Sequence, residues 1–142
     1  MPRLLGIDYG TRRIGLALSD ETGIIAMPLG TVVVGNPEKA VLAIKATCVE
    51  KQVAWIVLGL PLNMDGTSGF AVKGVTEFAD TLRAATGLRV EMWDERLSTA
   101  MVERMLVQAD TRREKRKNVR DQLAAQVILQ GYLDRTNNAN PA

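Results

Sequence analysis

The chain opens with two short apolar stretches, Leu4–Tyr9 and Ile14–Ser19, separated by Gly10-Thr11-Arg12-Arg13. Four residues between two strands force an antiparallel hairpin, and glycines at 6, 10 and 15 allow close backbone approach. After a turn around Asp20–Gly23, residues 24–34 predict a third strand interrupted by Pro28. A proline cannot donate to a ladder, so this strand belongs at a sheet edge or carries a bulge. Gly35-Asn36-Pro37 then starts a helix that runs to about Lys51, with Asn36 as its cap and Val41, Ile44 and Cys48 on its inner face. Val53–Leu60, VAWIVLGL, is almost continuously apolar, the pattern of a strand covered on both faces. A polar, glycine-rich loop follows. A second helix, about Phe70–Thr86, places Val75, Phe78, Ala79 and Leu82 on one side and stops at Gly87. Leu88–Trp93 reads as a fifth strand, a helix capped by Ser98 or Thr99 runs to about Gln108, and Val119–Leu133 forms the last helix with Asp121 in its first turn.

A three-strand meander followed by helix–strand–helix–strand predicts an α/β fold with a five-stranded mixed sheet flanked by helices. The two crossover helices make the later strands parallel to the first, and Pro28 sends the third strand to an edge. The order is therefore 3-2-1-4-5, with the first strand central.

Composition narrows what such a sheet can do. A chain of 142 residues, 46% hydrophobic, predicts one compact domain over residues 1–135 with a flexible tail at 136–142. No apolar run approaches the ~20 residues of a membrane span and the N-terminus lacks a signal-peptide pattern, so a soluble cytoplasmic protein is expected. The single cysteine, Cys48, falls on an apolar helical face and reads as a core thiol. Histidine is absent, which removes imidazole bases and His-containing zinc motifs. Any bound metal must then sit among oxygen ligands, which favours Mg²⁺ or Mn²⁺. Charge is unevenly spread. Residues 111–120, TRREKRKNVR, carry net +5, leaving −3 for the rest of a chain whose total is +2. A concentrated cationic segment on a mildly acidic body suggests an arm that contacts phosphates.

Candidate chemistry starts from Asp8, a carboxylate inside an apolar strand. Burying it costs several kcal/mol (on the order of 3–5) unless a cation pairs with it, either Arg12 or Arg13 in the turn or a metal ion. Two further acids can reach the same rim. One is Asp94 or Glu95 at the end of the fifth strand, undecided by spacing, and the other is Asp121. In the order 3-2-1-4-5 the carboxyl ends of strands one, four and five lie together, where open α/β sheets place their ligands. Ala124 and Ala125 follow Asp121 on the same helical face, so that its backbone can approach the sheet closely. Three carboxylates brought together repel one another unless a divalent cation joins them, and such a cluster hydrolyses phosphodiesters without histidine.

Four stretches in order, GIDYGTRRIGLA, GLPLNMDGTSG, DERLST and DQLAAQVILQGYL, resemble the YqgF family of RNase H-like nucleases across about Leu4 to Leu133. Members of this family are assigned as Holliday-junction resolvases and, in bacteria, as nucleases acting on the 5′ end of precursor 16S ribosomal RNA. The resemblance implies an RNase H-like fold, dependence on Mg²⁺ or Mn²⁺ and a structured nucleic-acid substrate. It also implies that Asp8, Glu95 and Asp121 are the catalytic metal ligands, which resolves the choice between Asp94 and Glu95. Many members carry a hydrophobic residue before the last aspartate where this chain has Arg120. Arg12, Arg13, Arg96, Lys115, Arg116 and Lys117 are the expected phosphate contacts.

The expected activity is endonucleolytic processing of precursor 16S rRNA by a monomer or homodimer. Resolution of four-way DNA and catalytically silent nucleic-acid binding are the alternatives. An ATP-binding domain, suggested by the likeness of GIDYGT to the phosphate loop of actin-like proteins, would need a second such domain around the nucleotide. The few aromatic residues are scattered and absent from the basic segment, so the sequence reveals no base-stacking platform.

Overall fold

The computed structural model describes residues 2–10, 12–60, 70–94 and 113–139, with backbone alone at 70–72, 94, 113–121 and 137–139. Five strands, β1 (Arg3–Asp8), β2 (Arg13–Ser19), β3 (Ala26–Val33), β4 (Val53–Leu60) and β5 (Arg89–Asp94), form one sheet in the order β3-β2-β1-β4-β5. β1 pairs antiparallel with β2 and parallel with β4, and β4 pairs parallel with β5. The mixed sheet and its strand order are those expected. Helices α1 (Pro37–Glu50) and α2 (Phe70–Thr86) cover one face, and a third described helix, α3 (Arg113–Ala139), crosses the other. The helix expected between Ser98 and Gln108 lies outside the described residues. Among the described residues no helix is long and apolar enough to cross a membrane.

Strand alternation divides two cores. Leu5, Ile7, Ile14, Leu16, Ile56 and Leu58 pack beneath Val41, Ile44, Val75, Phe78 and Leu82 of α1 and α2. On the opposite face Leu4, Ala17 and Val57 meet Ala125, Ile128, Leu129 and Leu133 of α3. Each fully buried large aliphatic contributes roughly 1.5–3 kcal/mol, so the face of α3 turned to the sheet holds that helix in place. Its seat is Gly6. A Cβ there would stand 2.7 Å from Leu129 Cβ and 3.0 Å from the Ala125 carbonyl oxygen, so the helix backbone lies directly on β1. Cys48 is buried in the first core, and desolvation pushes its thiol up to about 11.

Asn36 caps α1 as expected, its Oδ1 accepting from the Glu38 N–H at 2.9 Å, with Pro37 in the first turn. Asn36→Ala leaves that N–H unpaired and should cost about 1 kcal/mol in urea unfolding. No measurable change would mean that water replaces the cap.

Two elements differ from expectation. β3 begins at Ala26, two residues later than predicted, because Asp20 captures the preceding turn. Its carboxylate accepts from the backbone of Ile24 and Ile25 at 3.0 and 3.1 Å and from Thr22 Oγ1. That Thr22 bond, with the backbone N–H groups behind it, draws the carboxyl down to about 2. Further along β3 the register slips between Leu16 and Ala17, and Leu29 bulges between Pro28 and Gly30, as the edge-strand proline led one to expect.

The larger correction concerns the last helix. It starts at Arg113, not Val119, so Asp121 lies two turns inside α3 and residues 113–118 are a helical extension rather than a loop. Arg-Glu-Lys-Arg-Lys-Asn-Val-Arg holds neither glycine nor proline and is rich in good helix formers, so nothing local stops the helix before its charges run out. At its other end α3 continues to Ala139, into the stretch assigned to the tail. There Gln126 and Gln130 latch the start of β3: Gln126 Nε2 donates to the Ala26 carbonyl, Gln130 Oε1 accepts from the Ala26 N–H, and Gln130 Nε2 donates to the Ile24 carbonyl.

Candidate active site

The motif GIDYG splits between the two faces of β1. Ile7 is buried in the α1–α2 core and Tyr9 stacks on Phe78 with ring centroids 4.4 Å apart. Leu4 and Gly6 face α3, and alternation puts Asp8 with them, half-buried at the carboxyl end of the central strand. What surrounds Asp8 is unusual. Its partner on β2 is Gly15, and Gly59 stands at the corresponding level of β4, one step beyond the Ile7–Leu58 pair. Along its own chain the flanking positions on this face are Gly6 and Gly10. A Cβ at Gly10 would collide with the Arg13 carbonyl oxygen, so this turn tolerates no side chain. The nearest positions on both neighbouring strands and along its own strand are thus glycines, which place no side chain against this carboxylate.

Helix α3 brings Asp121 toward the same place. Ala125 contacts Gly6, and Asp121 lies one helical turn before Ala125 on the same helical face. Gln126 and Gln130 bond the beginning of β3, at the opposite end of the sheet from Asp8, so the chain of α3 runs away from the Asp8 end as it proceeds. Moving back one turn, about 5.4 Å, therefore follows β1 from Gly6 toward Asp8, a step of about 7 Å. The backbone alone is described at Asp121. Glu95 lies outside the described residues, one position after the end of β5. Among the described residues no group of three metal-ligating side chains gathers.

Of the cations expected to contact phosphate, Arg13 starts β2 on the Asp8 face, two residues from Gly15, and is half-buried. Arg12 is exposed in the turn, its carbonyl accepting from the Val34 N–H at 2.8 Å. Lys115, Arg116 and Lys117 fall on the first two turns of α3, upstream of Asp121. Arg96 lies outside the described residues. Gly59 escaped the sequence reading as part of the site. Its signal was a glycine inside an otherwise apolar strand, which marks close approach of something to the backbone.

Comparisons with known proteins bear on the family and the fold. A family model described as "RuvX: Holliday junction resolvase" matches residues 2–135. A curated relative from Clostridioides difficile, named "Putative pre-16S rRNA nuclease", is 48% identical over 132 residues, 93% of this chain and 94% of its own. One of the same name from Myxococcus xanthus is 46% identical over 132 residues, covering 93% and 87%. Among solved structures, Thermus thermophilus RuvC in complex with a Holliday junction substrate aligns at TM-score 0.55 with 16% identity, covering 96% of each chain. The fowlpox virus Holliday junction resolvase aligns at 0.56 with 14% identity, covering 94% of this chain and 99% of its own. At those identities the structural likeness speaks for the RNase H-like fold alone. Relatives near half identity and a match over residues 2–135 say more: the chain belongs to the RuvX family, the family its motifs resemble under the name YqgF.

Proposed function

We propose that this protein is a divalent-metal-dependent endonuclease that hydrolyses phosphodiester bonds in structured RNA and processes the 5′ end of precursor 16S rRNA in the cytoplasm. The observation that carries the reading is the glycine-bounded carboxylate of Asp8 on the central strand, with α3 seated on Gly6 two residues before it. The names of the curated relatives point to the same substrate.

Asp8, Glu95 and Asp121 are the proposed metal ligands. The donor set fits Mg²⁺ or Mn²⁺: the chain has no histidine, and its one thiol is buried in the opposite core. When bound, such ions activate a water as nucleophile and stabilise the departing oxygen. The pattern of β5 supports Glu95 over Asp94. Val90 and Met92 pack toward α1 and α2, the side that alternation also gives to position 94, whereas Trp93 packs toward α3 with Asp8. Arg13 and Arg12, with Arg96, neutralise phosphates near the cleaved bond. Lys115, Arg116 and Lys117, on the first two turns of α3, extend that contact. A helix presents these charges at fixed spacing, which suits the regular backbone of a folded nucleic acid better than a loop would.

A second reading, resolution of four-way DNA, is favoured by the description of the matching family model. The two separate in one experiment. Precursor 16S rRNA and an immobile four-way DNA junction are incubated with the protein in Mg²⁺ and in EDTA, and products are mapped at nucleotide resolution. Cleavage of the RNA at a defined 5′ position is expected, with little of the junction cut. Symmetric incision of the junction with intact RNA would replace the first reading by the second.

A further inference from the structure

Three aromatic side chains far apart in sequence meet on the α3 face beside β5. Tyr132 stacks edge-on against Trp93 with centroids 5.8 Å apart and accepts a hydrogen bond from Trp55 Nε1 at 3.2 Å. Gly131 lets the helix close on the Trp93 ring, where a Cβ would stand 3.2 Å from Nε1. Two guanidinium groups cap the cluster: Arg89 lies 4.4 Å above the Trp55 ring and Arg135 lies 5.9 Å from that of Trp93. Both arginines are exposed and both tryptophans are half-buried. Glu91 pairs with Arg89 at 2.9 Å and holds its plane over the indole.

The patch also stands beside the proposed site. Trp93 is level with Gly59, and hence with Asp8, two strands away across the sheet, or ~10 Å. Trp55 continues the patch toward the other end of the sheet. A solvated guanidinium stacked on an indole presents a flat cationic surface on which a nucleobase stacks while its phosphate is neutralised.

We infer that Trp55, Trp93, Arg89 and Arg135 form a stacking platform for unpaired nucleobases of the strand that enters the Asp8 site. This inference rests on the nuclease reading for its ligand class and adds a preference for unpaired nucleotides beside the cleaved position. Duplex does not satisfy it, because paired bases keep their faces stacked on one another.

The chain has two tryptophans, Trp55 and Trp93, and both lie in the patch, so intrinsic tryptophan fluorescence reports on it alone. The Asp8→Asn protein in Mg²⁺ is titrated with a dye-labelled 12-mer of oligouridylate, with a duplex of equal length and with inorganic polyphosphate. Binding is followed by anisotropy and tryptophan emission in parallel. The single strand is expected to quench both tryptophans as it binds, the duplex and polyphosphate to leave emission unchanged. Arg89→Gln should weaken single-strand binding about fivefold or more, in line with the value of one stacked base, with its melting temperature unchanged. Binding without quenching, equal quenching by duplex, or no binding of the single strand would each overturn the platform. Cleavage of precursor rRNA is scored on separate samples, so loss of the platform and loss of the nuclease reading are told apart.

Discussion

Asp8→Asn is expected to abolish metal-dependent cleavage, by about a thousandfold or more, while leaving the melting temperature within about 2 °C of the parent. The magnitude follows from the several kcal/mol that a metal ion contributes to the transition state of phosphoryl transfer, each 1.36 kcal/mol being tenfold in rate. Asparagine keeps the shape of the side chain and one oxygen, but it loses the charge on which the proposed metal site depends. The fold should tolerate the change, since Asp8 sits at the end of β1 beside Gly15 and takes no part in either apolar core. The measurement is product formation under single-turnover conditions across a Mg²⁺ titration, with thermal unfolding as the control. Should excess Mg²⁺ restore the parent rate, Asp8 would be a weak or dispensable ligand. Should cleavage persist at every Mg²⁺ concentration, it would have no part in the chemistry. Asp121→Asn is the companion test, because its outcome depends on a backbone placement two turns inside α3 rather than on a helix start.

The second large effect is on stability. Gly6→Ala should lower the melting temperature by roughly 3–10 °C, whereas Gly74→Ala should leave it unchanged or raise it slightly. The two glycines differ in what a Cβ would meet. At Gly6 it would press on Leu129 Cβ at 2.7 Å and on the Ala125 carbonyl at 3.0 Å, both close to the α3 backbone, so the helix itself must move. Overpacking of this kind costs about 1–3 kcal/mol, which for a domain of this size is a few degrees per kcal/mol. At Gly74, in the second turn of α2, no described atom lies within 4 Å of such a Cβ, and alanine is the better helix former by about 1 kcal/mol. Differential scanning calorimetry of the two variants decides it. Equal melting temperatures would mean that α3 is not seated on β1. Displacing α3 should also slow cleavage in Gly6→Ala beyond what its residual fold explains, since the same seat positions Asp121.

Local pattern was enough to establish much of the architecture. The apolar run Val53–Leu60, the helix from Phe70 to Gly87, the Asn36–Pro37 cap and the edge placement forced by Pro28 all depend on neighbours a few residues away, and each is found where expected. The strand order followed as well, because short hairpins and right-handed crossovers leave few ways to connect five such strands. The start of α3 departs from the local pattern for an equally local reason: a run of like charges reads as a loop, although its residue types favour helix and no breaker precedes it.

What the chain alone could not reveal is everything set by contact between distant segments. That Gly6 seats α3, that Gly15 and Gly59 clear the sheet around Asp8, and that residues 55, 93 and 132 form one aromatic cluster depend on strand register and on the crossing point of a helix more than a hundred residues away. Register is a property of two strands together, and a crossing point is decided by which side chains are small enough to let two backbones touch. Neither is encoded in any window of sequence, so the identity of the acid on β1 was legible from the motif, while the space around it was decided only when the sheet closed and α3 came down on Gly6.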